Sequence, residues 1–383
     1  MPIQTLRTAV LANRAASRND NHSRVTQLTV WLPFASGYGI GAAPYGIWLE
    51  SKMQRFRILL LGIVALTLIT TVGPVRAQDD NAAEDFGVWL ETLRAEALEE
   101  GISAATLDAA LAGVEPIPRV IELDRSQPEG AMTFAQYMER VVPNSRVQKG
   151  RARLKENAVT LKAVHEAFGV QPRFIVALWG IETNFGQYIG GFSVIASLAT
   201  LAHDGRRSAY FRGELLNALR ILEQGHISPD AMVGSWAGAM GQSQFMPSSF
   251  VRFAIDFNGD GRRDIWTSKA DVFGSAANYL AESGWNGNQT WGRKVLLPDN
   301  FDPAMADLKI SKTLADWQVL GVRRANGQNL PVVAGMMGSV VFPGGEGGPA
   351  FLVYDNFKTT LKWNRSTYFA MAVGHLADRI AGR

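Results

Sequence analysis

Between Pro172 and Thr183 the chain reads PRFIVALWGIET, a proline at a first-turn position followed by residues that are apolar on every face of a helix. A helix that is hydrophobic all round must be buried, so this segment sets the centre of the fold and requires other helices around it. One carboxylate, Glu182, stands at the C-terminal end of the run. Desolvation raises the pKa of a carboxylic acid, and the negative end of the helix dipole raises it further. A proton kept at neutral pH is what a general acid needs. A structural glutamate paired with an arginine inside the core is the alternative reading. Thr183 and Asn184 add polar side chains beside the acid, and Gly186 allows close approach to the backbone.

The flanking sequence supplies the surrounding helices. Residues 84–113 read as two, with apolar positions three and four apart, Gly101 closing the first and Ser103 capping the second. EPIPRVIELDRSQPEG is a Pro-punctuated connector, and a charged helical segment covers about 133–169. After the central helix, FSVIASLATLAH, SAYFRGELLNALRILEQG and SKADVFGSAANYLAESGW all keep the helical period. Residues 316–356 differ, with short β-prone runs broken by Gly and Pro, and read as a small sheet. A last helix, STYFAMAVGHLADRIAG, closes the chain. The expected class is α+β, mainly α.

Charge and leader exclude several functions. MQRFRILLLGIVALTLITTVGPVRAQ, from Met53, has the basic start, apolar stretch and small-residue cleavage site of a secretory signal, with cleavage expected after Ala77. Residues 1–52 fit no part of such a signal and read as an extension ahead of the true start. Residues 1–77 hold 8 basic and 2 acidic side chains, so without them the formal charge changes from +3 to −3. The basicity therefore gives no argument for nucleic-acid binding. No membrane span is expected once the signal is cleaved. There are no cysteines, which rules out disulfides, thiolate chemistry and lipid attachment at a cysteine. None of the 5 histidines forms a pair with metal-ligand spacing.

Two further stretches carry chemistry. GSWAGAMGQSQFMPSSF combines tight-turn glycines, neutral donors and acceptors (Ser235, Gln242, Ser243, Gln244) and flat apolar surface (Trp236, Phe245, Met246). That mixture suits a sugar groove; an ordinary helix contact is the alternative. In DFNGDGRRDIW, Asp256, Asn258 and Asp260 alternate ahead of Gly261, and the Arg262 carbonyl falls at the seventh position, as in the first half of an EF-hand loop. The twelfth position is Thr267 rather than a bidentate glutamate, so Asp271 is the better late carboxylate and Asp264 a weaker one. A metal-free turn rich in Asp and Asn is the other reading.

In this order and at these distances the three stretches, with PRVIELDRSQPE, DGRRSAYFRGELLNAL, Tyr279 and the terminal WNRS, resemble the membrane-bound lytic transglycosylase B family of peptidoglycan-cleaving enzymes. The resemblance runs from about Phe86 to the C-terminus. It implies a lysozyme-like core at 161–315, a helical domain at 78–160, a small β region at 316–356 and a C-terminal helix at 357–383 returning to the core. It makes Glu182 the sole catalytic acid/base and places Ser235, Gln244, Tyr279 and Asn364 in the sugar groove. It assigns structural calcium to Asp256, Asn258, Asp260, the carbonyl of Arg262 and Asp271.

The implied partner is the peptidoglycan glycan strand, and the implied location is the periplasm. Without a cysteine the chain departs from the lipid-anchored pattern. Trp363 stands where a tyrosine is more usual, which would keep stacking and lose a hydroxyl contact. Ordinary glycosidases flank the bond with two carboxylates. Here Asp204 and Glu214 are expected in an exposed helix start, leaving one acid that first protonates the glycosidic oxygen and then takes the proton of the sugar's own C6 hydroxyl. A hydrolytic muramidase and a non-catalytic peptidoglycan-binding protein are the alternatives.

Overall fold

The computed structural model describes residues 85–126 and 132–383. The expected extension at 1–52 and signal at 53–77 lie outside those residues. No helix among the described residues is long and apolar enough to cross a membrane.

The N-terminal lobe begins with α1 (Phe86–Glu99) and α2 (Ala104–Leu111), capped by the side chains of Asp85 and Ser103, with Gly101 at φ 86° between them. The expected connector contains a helix, α3 (Pro118–Arg125), because Pro118 occupies the first turn, where a missing N–H costs nothing. The segment expected as one helix is three: α4 (Phe134–Val141), α5 (Asn144–Glu156) and α6 (Ala158–Phe168). Pro143 denies an amide to the first break, and Asn157 turns the chain at the second, its Nδ2 donating to the Arg153 carbonyl at 2.8 Å.

The central helix α7 (Pro172–Thr183) has Phe174 through Gly180 fully buried. After the two-residue strand β1 (Phe192–Ser193) come α8 (Val194–His203) and α9 (Ser208–Glu223). Strand β2 (Val233–Gly234), antiparallel to β1, leads through the glycine-rich loop to α10 (Pro247–Phe253) and α11 (Lys269–Glu282).

The small sheet starts at β3 (Gly292–Leu296), ahead of residue 316, and continues with β4 (Lys312–Thr313), helix α12 (Leu314–Val319), β5 (Arg323–Arg324), β6 (Met337–Val341) and β7 (Ala350–Val353). The strand order is β4-β6-β7-β3-β5, all neighbours antiparallel. Strand β7 is buried on both faces: Phe351 and Val353 join the main core, while Ala350 and Leu352 join a second core built on Trp317. That double burial explains why AFLV is apolar without alternation. The expected single C-terminal helix is two, α13 (Asp355–Trp363) and α14 (Thr367–Ile380), and α14 packs against α7.

Candidate active site

Glu182 lies in the last turn of α7, where the chain leaves the helix through three consecutive left-handed residues: Asn184 at φ 51°, Phe185 at 64° and Gly186 at 78°. Phe185 is an uncommon residue for that conformation, and the turn is over-determined by its surroundings. Its N–H donates to the Trp179 carbonyl at 3.1 Å, and its ring folds back over Gly180. A β-carbon at Gly180 would come within 2.7 Å of that ring, so the helix needs a glycine there.

One side chain ties the three chemically informative stretches together. Gln242 accepts from Trp179 Nε1 at 2.8 Å and donates to the Trp266 carbonyl at 2.7 Å. Its backbone N–H donates to the Ile265 carbonyl at 2.8 Å, and its carbonyl accepts from Thr183 Oγ1 at 3.1 Å. The end of α7, the GQSQF turn and the end of the acidic loop are thereby held as one unit. Gly186 packs against the same amide; a β-carbon there would lie 2.3 Å from Gln242 Oε1.

Glu182 opens on a small cavity walled mainly by Ile175, Leu178, Val272, Phe273 and Ala276, with Trp363 across from it. Part of the residue keeps solvent contact, while the carboxyl is packed among these groups. Burial pushes its pKa up to about 8, and a hydrogen bond from Trp363 pulls in the opposite direction. That bond, from Trp363 Nε1 to Glu182 Oε1, is 2.7 Å long. The tryptophan thus supplies a polar contact where the sequence suggested only stacking. Tyr137, on α4, is the other residue that sequence reasoning missed: burial raises its pKa first, and the nearby Glu182 charge raises it further. It reads simply as a core aromatic, and nothing in its local pattern marks it.

The other expected groove residues take defined places. Tyr279 meets Trp363 edge-on with centroids 4.8 Å apart, and its hydroxyl donates to the Lys362 carbonyl at 2.6 Å. Asn364 follows Trp363 and accepts from the Ser366 N–H at 2.9 Å. Ser235 Oγ accepts from the Ala239 N–H at 3.0 Å, and Gln244 Nε2 donates to the carbonyls of Gly241 at 2.9 Å and Ile189 at 3.1 Å. These two side chains hold the glycine-rich loop in shape and do not line the small cavity.

Glu214 is not exposed as expected. It is 4% exposed, because α9 packs against α10 and turns this position onto the N-terminus of that helix. Its oxygens accept from the Ser248 N–H at 2.8 Å and Ser248 Oγ at 2.6 Å. Asp204 is paired with Arg125 at 2.7 Å, its side chain only 11% exposed. Neither lines the cavity of Glu182.

The acidic loop forms a compact oxygen cluster. Carboxylates of Asp256, Asp260 and Asp271 have oxygens within 4.8 Å of one another. Asp256 accepts from the amides of Gly259, Asp260 and Gly261, and Asn258 Oδ1 accepts from the Asp260 N–H at 3.0 Å. Asp260 Oδ1 accepts from the Arg262 N–H at 2.9 Å. Asp271, fully buried, accepts from Phe257, Asn258 and Asp264, and burial holds its pKa above the usual carboxylate range. Asp264 instead caps the turn at Trp266 and Thr267, which also occupies the Thr267 hydroxyl. A cluster of hard oxygen donors of this kind suits a calcium ion in chemistry.

Residues 85–378 match the family model described as the transglycosylase SLT domain. The chain is 33% identical over 263 residues to membrane-bound lytic murein transglycosylase B of Escherichia coli (strain K12), covering 67% of this chain and 69% of that protein. Among solved structures it resembles SltB3 from Pseudomonas aeruginosa in complex with NAG-anhNAM-pentapeptide, with a TM-score of 0.77, 47% identity, and 78% and 80% of the two chains covered. It also resembles the Escherichia coli lytic transglycosylase Slt35 in complex with calcium, with a TM-score of 0.66, 28% identity, and 79% and 94% covered.

Proposed function

Because the chain belongs to the transglycosylase SLT family, it is a peptidoglycan lytic transglycosylase, and we propose that Glu182 performs both of its proton transfers. The observation that carries this reading is a single carboxyl, raised to about 8, at the end of a buried helix in a mainly apolar cavity. As an acid, Glu182 protonates the oxygen between N-acetylmuramic acid and N-acetylglucosamine. The muramic acid's N-acetyl group stabilises the cation that develops, as in substrate-assisted exceptions to the two-carboxylate rule. The carboxylate then takes the proton of the muramic acid C6 hydroxyl, which closes a 1,6-anhydro ring without consuming water. The nucleophile is already part of the substrate, so its effective concentration is high. The glycan strand is proposed to run past Ser235, Gln244, Tyr279 and Asn364. The first two shape the glycine-rich loop, and the last two frame Trp363. The likeness to SltB3, whose structure holds NAG-anhNAM-pentapeptide, supports a peptidoglycan strand as the ligand here.

Purified sacculi digested with this protein should release muropeptides with anhydro ends, read by mass spectrometry. Reducing ends in their place would convert the reading to a hydrolytic muramidase. The leader reading supports a periplasmic location for the activity.

Calcium is proposed as a structural ion held by Asp256, Asn258, Asp260, the carbonyl of Arg262 and Asp271. Bound there, it would offset the charge of the clustered carboxylates. A ligand at about 100 times its Kd stabilises the folded state by about 2.7 kcal/mol. Exhaustive chelation should therefore lower the melting temperature by roughly 4 °C, reversed by added calcium. A melting temperature indifferent to chelator and calcium would remove the ion from this reading.

A further inference from the structure

Trp363 sits in a cage of rings and backbone that leaves its indole little freedom. The residue is 5% exposed, with Tyr279 at 4.8 Å and Phe245 at 5.3 Å between centroids, and Tyr279 is itself packed on Phe253 at 4.4 Å. The Tyr279 hydroxyl fastens the carbonyl immediately before Trp363. Held this way, Nε1–H points at one oxygen of Glu182, Oε1, at 2.7 Å. An indole N–H is a donor with no acceptor capacity. It cannot take a proton from Glu182 in any state of the reaction, and a protonated Oε1 would face it hydrogen to hydrogen.

We propose that Trp363 is a positioning residue that divides the labour of the two Glu182 oxygens, so that Oε1 only accepts from the indole while Oε2 alone carries the transferable proton. This rests on the assignment of Glu182 as acid and base. The consequence is directional. The proton leaves for the glycosidic oxygen from Oε2, and the same oxygen receives the proton of the C6 hydroxyl, so the carboxyl need not rotate between the two transfers. The indole bond also strengthens as the carboxyl ionises, because a donor facing a carboxylate makes a charge-assisted bond. A tyrosine at this position would not impose the same order, since a hydroxyl can both donate and accept.

The titratable neighbours do not substitute for this contact. From α4, Tyr137 interacts with the Glu182 charge, and Arg146 on α5 with Tyr137. Lys149, also on α5, donates to the Asn184 carbonyl at 3.2 Å rather than to the carboxyl. Tyr279, on α11, spends its hydroxyl on the Lys362 carbonyl.

The test is the pH profile of sacculus cleavage. A general acid must be protonated, so the rate of the parent protein should fall as pH rises through about 8. In Trp363→Phe the carboxylate loses its donor, so the alkaline limb should move up by roughly one unit. At the same time kcat should fall roughly ten- to hundredfold, with KM nearly unchanged. Because a smaller ring leaves a void, the decisive variant replaces Trp363 with 3-benzothienylalanine, which keeps the bicyclic shape and lacks only the N–H. The same displaced limb and lowered kcat in that variant would establish the role. A parental limb and kcat would overturn it, whatever happens to the phenylalanine variant. Infrared titration of the 13C-labelled Glu182 carboxyl reads the same shift without catalysis. If the protein released no anhydro product at all, the functional reading would fail while this titration still decided the role of the indole.

Discussion

Glu182→Gln is expected to lower the rate of sacculus cleavage by roughly 10²–10⁴-fold while the protein stays folded. A glutamine keeps the shape of the side chain and an oxygen for the Trp363 indole, so the loss isolates the proton. Its stability should rise at neutral pH. Folding raises the pKa of this carboxyl from an ordinary 4.5 to about 8, so the folded chain binds the proton more tightly than the unfolded chain. Stability therefore falls as pH climbs between those two values, and the full penalty is present above the upper one. Removing the ionisable group relieves a penalty on the order of 3 kcal/mol at pH 7, visible as a higher melting temperature for the inactive variant. The converse result, parental activity in the glutamine protein, would remove Glu182 from the chemistry. A variant that was inactive and also less stable would point to a structural acid instead.

The largest loss of stability is expected at Gly190. Its φ of 99° is a backbone conformation that side chains rarely adopt, and a β-carbon there would lie 1.9 Å from the Gly234 carbonyl oxygen and 2.7 Å from the Ser235 nitrogen. Both are backbone atoms at the end of β2, Gly234 its last residue and Ser235 the next, so neither can rotate away. Gly190→Ala should cost about 3 kcal/mol or more and lower the melting temperature by roughly 5 °C or more. The adjacent Gly191 supplies the control: it has no left-handed φ, and no atom lies within 4 Å of its would-be β-carbon. Gly191→Ala should be close to neutral. Equal melting temperatures for the two variants would contradict the close packing of these loops.

Much of this was legible in the chain before any packing was known. The apolar run of α7 announced its burial, and Ser103, Pro172 and Gly101 marked helix ends where the structure has them. The alternating acids of the 256–260 loop announced an oxygen cluster, and Asp271 joins it in place of position 12. The failures were of another kind. Pro118 reads locally as a breaker, yet it starts α3. Glu214 reads as a solvated charge on an amphipathic helix, yet a second helix end meets it. Trp363 reads as a stacking surface, and its polar edge becomes informative only when Glu182 is found opposite.

What the sequence determined by itself was therefore local: helical periods, caps, the spacing of the acidic loop, and a costly carboxylate at the end of a greasy helix. These follow from residues a few positions apart, where propensity and periodicity act. Only the tertiary structure decided what that carboxylate faces. Its donor comes from a residue 181 positions away, and its helix is braced by Gln242 from 59 and 63 positions away. Contacts over such separations depend on how α7, α13 and the glycine-rich loop pack together, and no local pattern records that packing.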